Sequence, residues 1–229
     1  GLNPTEHMVF VTDPGSPLDQ DVRKSGFTVI NADPHVGGRF SALTAFGLTP
    51  AALMGVDASV LLDQASDCRE LMKTNPEVVI DVAYLLLTQA EQFLGFTDSG
   101  SNFPGLSDWI EQLIAESTGK EEQGRLPIAT EGFREAAMGG AFSVSFAPGA
   151  ELTVEAELGE HFLFWEWVTA LLGAALEIDP FNQPNVTEAK EQTSALLKEW
   201  NGVLPSFTGD VHDGVVEIFG AGKNATDAL

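Results

Sequence analysis

Three charged residues stand where a sequence built for stability alone would not place them, and together they have the makings of a proton-transfer site. Glu116 falls in the last turn of a helix read over about 107–118, the end that disfavours an anion. Arg39 follows Gly37-Gly38 at the start of a helical pattern over about 38–55, the end that disfavours a cation. Lys190 shares the apolar stripe of its helix with Val186, Leu197 and Trp200. Such local conflicts are expected where function competes with stability. A carboxylate base, with a cation near a developing negative oxygen, supplies what general-base proton transfer needs.

Each residue also has a plainer account. Glu116 shares part of a helix face with Trp109 and Leu113, so partial burial and the helix end both penalise its charge; otherwise it is an exposed helix-end Glu. Arg39 is preceded by two glycines that allow close backbone approach and leave amides free; otherwise it is a surface Arg paired with one of many carboxylates. Lys190 either points into a polar pocket or snorkels, its ammonium kept in water.

The elements that must carry these residues read as an α/β pattern. Met8 to Thr12 and Phe27 to Asn31 form short apolar strands around the turn signal Asp13-Pro14-Gly15-Ser16-Pro17. Helical periodicity follows over about 38–55, 57–73, 76–95 and 107–118. Strand-like segments recur near Leu126 to Ala129, Ala141 to Ala147 and Leu152 to Ala156. Helices are read from about Glu160 to Leu176 and Val186 to Trp200, and a turn at Asp213-Gly214 precedes a late strand, Val215 to Phe219. Strands alternating with helices predict an α/β sheet with helices on its faces. The segment Gly95 to Gly105 reads as the internal linker.

Composition narrows the partners. With 229 residues, 44% of them hydrophobic, the chain can bury a real core. Its 34 acidic against 11 basic residues leave a formal charge of −23, which repels nucleic acid and anionic membranes and argues against both as partners. Binding an anion then falls to a few placed cations, and Arg39, Lys120 and Lys190 lie in the segments of interest. The single Cys68 excludes an internal disulfide and reads as a buried small hydrophobe of a reducing, cytoplasmic protein. No Cys/His ligand cluster and no dinucleotide fingerprint appears, so no metal and no cofactor is expected.

Three segments in order resemble the phosphoglucose isomerase (glucose-6-phosphate isomerase) family: Gly37-Gly38-Arg39-Phe40-Ser41, Glu116-Ser117-Thr118-Gly119-Lys120, and Pro180-Phe181-Asn182-Gln183 with Val186 and Lys190. Asp33-Pro34 and Leu48 to Leu53 also look like that family, and the resemblance spans roughly residues 8 to 200. It is closest to the bacterial form in which the isomerase is joined to a transaldolase. The resemblance implies a sugar-isomerase (SIS-like) fold, with helices on both faces of the sheet, as an incomplete part of a two-domain protein. Residues 1–100 would end the first subdomain, and 101–229 would form the second. The implied reaction interconverts glucose 6-phosphate and fructose 6-phosphate through an enediolate, in glycolysis and gluconeogenesis. By resemblance Glu116 is the isomerisation base, Arg39 steadies the enediolate, and Lys190 with Gln183 serves ring opening and substrate contact; Gly37 and Gly38 approach the substrate. A homodimer, or association with the rest of the isomerase, is implied.

The pattern departs from the family in three places. Asn182 stands where the family has Asp. No Ser/Thr-rich phosphate loop precedes Gly37, and residues 120 to 160 contain no His. His161 reads as a helix-end His and His35 as a loop His. The isolated chain is therefore expected to be inactive, as a fragment of a longer isomerase. An isomerase of another sugar phosphate, or a non-catalytic sugar-phosphate-binding or assembly module, remains the alternative.

Overall fold

A computed structural model describes residues 2–91, 93–121, 123–204, 211–213 and 216–218. The chain divides into two compact units, one ending at Asn182 and the other starting at Gln183.

The first unit opens with β1 (Val9–Thr12), α1 (Pro17–Lys24) and β2 (Thr28–Asn31), the strands pairing in parallel with Val9 opposite Thr28. Ser16 caps α1 through the Asp19 amide, and Pro17 takes the first turn, where its missing N–H is no loss. A 3-10 turn, Gly38–Phe40, precedes α2 (Ala45–Leu53), α3 (Ala58–Thr74) and α4 (Glu77–Thr88). Then come β3 (Phe93–Thr97), α5 (Leu106–Thr118), β4 (Leu126–Ala129), α6 (Phe133–Met138), β5 (Ala141–Ser145), β6 (Leu152–Thr153) and α7 (Leu158–Ala175).

The main sheet is wholly parallel in the order β4-β3-β5-β6. Its central strand is covered on both faces, as parallel strands require. Phe96 meets Trp165 of α7 edge-to-face, with ring centroids 5.4 Å apart. Gly95 points the other way, where an added Cβ would lie 2.8 Å from the Ala136 Cβ of α6; only a glycine lets that helix approach so closely. The core gathers Leu94, Phe96, Ile110, Leu113, Val144 and Trp165, all buried. The α/β class with helices on both faces is what the structure has.

Three sequence expectations change. The helix read over 76–95 stops at Thr88, and Phe93 onward is the central strand, so Gly95 to Thr97 is sheet rather than linker. A strand buried on both faces is apolar throughout, and periodicity cannot separate it from a buried helix. The helix read from residue 38 begins only at Ala45. There the Ser41 hydroxyl donates to the Gly38 carbonyl, the Thr44 hydroxyl to the Ser41 carbonyl, and Thr44 accepts from the Phe46 amide, side-chain bonds that compete with helix. Helices α1 and α6, of eight and six residues, are too short to show a clear apolar periodicity in the sequence.

The second unit contains α8 (Pro184–Trp200), ended by Asn201 in the left-handed conformation (φ 46°), and an antiparallel pair, β7 (Val211–Asp213) and β8 (Val216–Ile218). The late strand is thus present, while Gly214 of the expected turn lies outside the described residues.

Candidate active site

Arg39 is delivered by the 3-10 turn, with its side chain fully buried. No α-helix starts there, so no helix macrodipole opposes its charge. Its Nε donates to Ser117 Oγ at 2.7 Å, and its Nη2 to the carbonyls of Pro180 (2.6 Å) and Asn182 (3.0 Å). Nη1 faces Glu116 Oε2 at 3.5 Å. The Trp109 indole donates to the Arg39 carbonyl, and the guanidinium lies 5.4 Å from the centre of the Phe40 ring. Burial pushes the Arg39 pKa down, opposed by the charges of Glu116 and Asp179. An arginine keeps its proton regardless.

Glu116 lies in the last turn of α5 with its side chain 38% exposed. Its second oxygen accepts from Gln112 Nε2 at 3.0 Å, one helical turn back. The carboxylate is thus open to solvent on one side and aligned by a guanidinium on the other. At Gly38, the residue before Arg39, an added Cβ would meet nothing within 4 Å, so the backbone there is open.

The third motif reaches this site through its backbone. Helix α7 ends at Ala175, and Pro180 packs against Gly173, where a Cβ would sit 2.7 Å from the proline ring. That close seat puts the Pro180 and Asn182 carbonyls in reach of Arg39. Lys120, buried after the end of α5, donates to the Asp179 carbonyl (2.6 Å), the Asn182 carbonyl (2.9 Å) and Asn182 Oδ1 (2.8 Å). Burial, with the nearby Arg39 charge, pushes the Lys120 pKa down.

Gln183 and Lys190 lie in the second unit. Gln183 precedes the first turn of α8, its carbonyl accepting from the Thr187 amide. Lys190 is exposed, and the stripe it shares is not buried: Leu197 is 58% exposed, with Val186 and Trp200 half-buried. The expectation that Lys190 sits among apolar packing contacts is corrected accordingly.

His161 is in the first turn of α7 but entirely buried, between the rings of Phe103 and Phe146 at 5.6 and 5.1 Å. Burial lowers its pKa to about 4, and neither ring nitrogen has a partner among the described residues. His35 is exposed in its loop.

Two further residues join the site's surroundings. Lys120 was visible within a motif, but its partners are 59 and 62 residues away. Glu166, on the long apolar α7, faces a cavity of about 310 Å³ lined by Phe40, Trp167 and Phe181; burial raises its pKa to about 7. No spacing signal marks it.

The cleft beyond the C-terminal ends of β3 and β4 is acidic, lined by Asp98, Asp108 and Glu131 with Ser99, Ser107 and Thr130. The start of α5 already has its anion, because Asp98 accepts from the amides of Gly105 (2.6 Å) and Ser107 (2.8 Å). Among the described residues no His, Cys, Asp and Glu group is arranged to hold a metal ion, and no helix is long and apolar enough to cross a membrane.

Fold and site together define an α/β protein with a parallel sheet covered by helices and a guanidinium–carboxylate pair. Two solved structures share the fold. One is a hypothetical protein from Thermus thermophilus (TM-score 0.71, 22% identical, covering 84% of this chain and 63% of that one). The other is a glucose-6-phosphate isomerase from Chlamydia trachomatis (TM-score 0.66, 16% identical, 88% and 54%). By sequence the chain is similar to glucose-6-phosphate isomerases. That of Campylobacter jejuni is 35% identical over 136 residues, 57% of this chain and 34% of the relative. That of Mycoplasmopsis pulmonis is 26% identical, over 86% of this chain and 62% of the relative. No family model matches. The chain thus spans about a third of the first relative's length and under two thirds of the second's.

Proposed function

We propose that this chain supplies part of the active site of a glucose-6-phosphate isomerase, interconverting glucose 6-phosphate and fructose 6-phosphate through an enediolate. Glu116 moves the proton between the two carbons. Arg39 steadies the negative oxygen that develops beside it, and Gly37 and Gly38 let the substrate approach the backbone. Gln183 and Lys190 contact the substrate and serve ring opening. The observation that carries this reading is the buried Arg39 guanidinium directed at a solvent-open Glu116 carboxylate, a base and an electrostatic stabiliser side by side.

The partial span of the relatives makes this a contribution to a larger enzyme. In this reading residues 1–100 end one sugar-isomerase subdomain and 101–229 form the next, working in the cytoplasm as a homodimer or with the rest of the isomerase, in a transaldolase fusion. The carboxylates of the cleft at the ends of β3 and β4, and the Asp98 cap on α5, disfavour a phosphate at that position.

The test is a coupled isomerase assay on the product of the complete reading frame, beside its Glu116→Gln variant. Turnover abolished by that substitution supports the reading. Turnover unchanged by it, or none in the wild-type enzyme, overturns it.

A further inference from the structure

Arg39 has five N–H donors. Three are spent on Ser117, Pro180 and Asn182, and only the Nη1 pair remains toward Glu116 and the open side of the site. Lys120 has three donors, and all are spent on the Asp179–Asn182 turn. The Asn182 carbonyl is shared by both cations. Two buried like charges repel, so their joint placement needs the acceptors that this turn supplies.

We infer that Lys120 is a positioning residue: it fixes the Asp179–Asn182 turn, which in turn holds Arg39 with Nη1 aimed at Glu116. Lys120 has no donor left for a substrate, so it acts through Arg39. Removing its ammonium leaves the Asp179 carbonyl and Asn182 Oδ1 without this donor and the Asn182 carbonyl on Arg39 alone. The turn then loosens and draws Nη2 with it, swinging Nη1 off the Glu116 carboxylate. Displacements of about 1 Å at such a group lower rates by up to about a hundredfold. Substrate affinity is spared, because Lys120 touches none of the substrate.

The consequence for turnover rests on the proposed isomerase function, whereas the clamp itself does not. Two arms keep them apart. In the first, the 229-residue chain and its Lys120→Met variant are compared by amide hydrogen exchange over 179–183 and by the Arg39 Nε–H signal in NMR. Faster exchange at Phe181 and Asn182, with loss or displacement of the Arg39 signal, is expected. Unchanged exchange and an unchanged signal overturn the clamp. Should Lys120→Met not fold, Asn182→Ala removes one acceptor alone and must shift both readouts in the same direction. In the second arm, steady-state kinetics on the complete enzyme should show kcat at least tenfold lower with KM within threefold. Equal kcat beside a loosened turn overturns the positioning role, and a KM rise with kcat intact reassigns Lys120 to substrate binding. If the wild-type enzyme does not isomerise glucose 6-phosphate, the proposed function falls while the first arm still decides the clamp.

Discussion

Arg39 Nη1 lies 3.5 Å from Glu116 Oε2, although 77 residues separate them in the chain. Nε of the same guanidinium reaches Ser117 Oγ, so two consecutive residues of α5 are gripped by one side chain. The helix end that should repel an anion thereby receives a cation, which offsets the local conflict seen in the sequence.

Replacing Glu116 by Gln keeps its size and helix propensity but removes the carboxylate proposed as the base. In the complete enzyme, exchange of the substrate C2 proton with solvent should fall at least about a hundredfold. The thermal midpoint should move little, because Arg39 keeps its other three hydrogen bonds. Unchanged exchange would make Glu116 a bystander.

Arg39→Met should be the most damaging single change at the site. It leaves Ser117 Oγ and the Pro180 and Asn182 carbonyls without their guanidinium donor, and each buried acceptor left unsatisfied costs about 1–3 kcal/mol. A urea unfolding curve measures it, and a loss below about 1 kcal/mol would show that the turn re-pairs without Arg39. Arg39→Lys should recover only part of this stability, since an ammonium lacks the planar fork.

Two groups on α7, the buried His161 and the half-buried Glu166, oppose each other in acid. His161 has its folded pKa lowered from 6.5 to about 4, so the unfolded chain binds more protons between those values and stability falls as pH drops through them. Glu166 has its folded pKa raised from 4.5 to about 7, so the folded chain binds more protons there and stability falls as pH rises through them. Each window is worth about 3 kcal/mol at most. Wild-type stability should therefore be nearly flat from about pH 4.5 to 6.5, the overlap of the two windows. His161→Phe should lose stability with rising pH, and Glu166→Gln with falling pH. Parallel curves for all three proteins would refute the pairing.

Lys190→Met should leave the thermal midpoint within a degree or two, since the side chain is exposed on α8. In the complete enzyme kcat/KM should fall at least tenfold, about 1.4 kcal/mol of transition-state stabilisation. Wild-type kinetics in this variant would remove Lys190 from the proposed site.

The sequence by itself determined the α/β class, most helices and strands, and the three segments whose charges conflict with local stability. Those are local properties, written in periodicity, turn residues and helix ends. Only the tertiary structure decided that β3 is the central strand, because burial on both faces erases the alternation that marks a strand. It also decided what Arg39 and Lys120 hold. Their partners include backbone carbonyls up to 143 residues away, and a carbonyl leaves no trace in residue type. The burial of His161 and Glu166 is likewise a matter of packing: α7 is apolar almost all round, so its sequence does not reveal which side meets α3, α4 and α5.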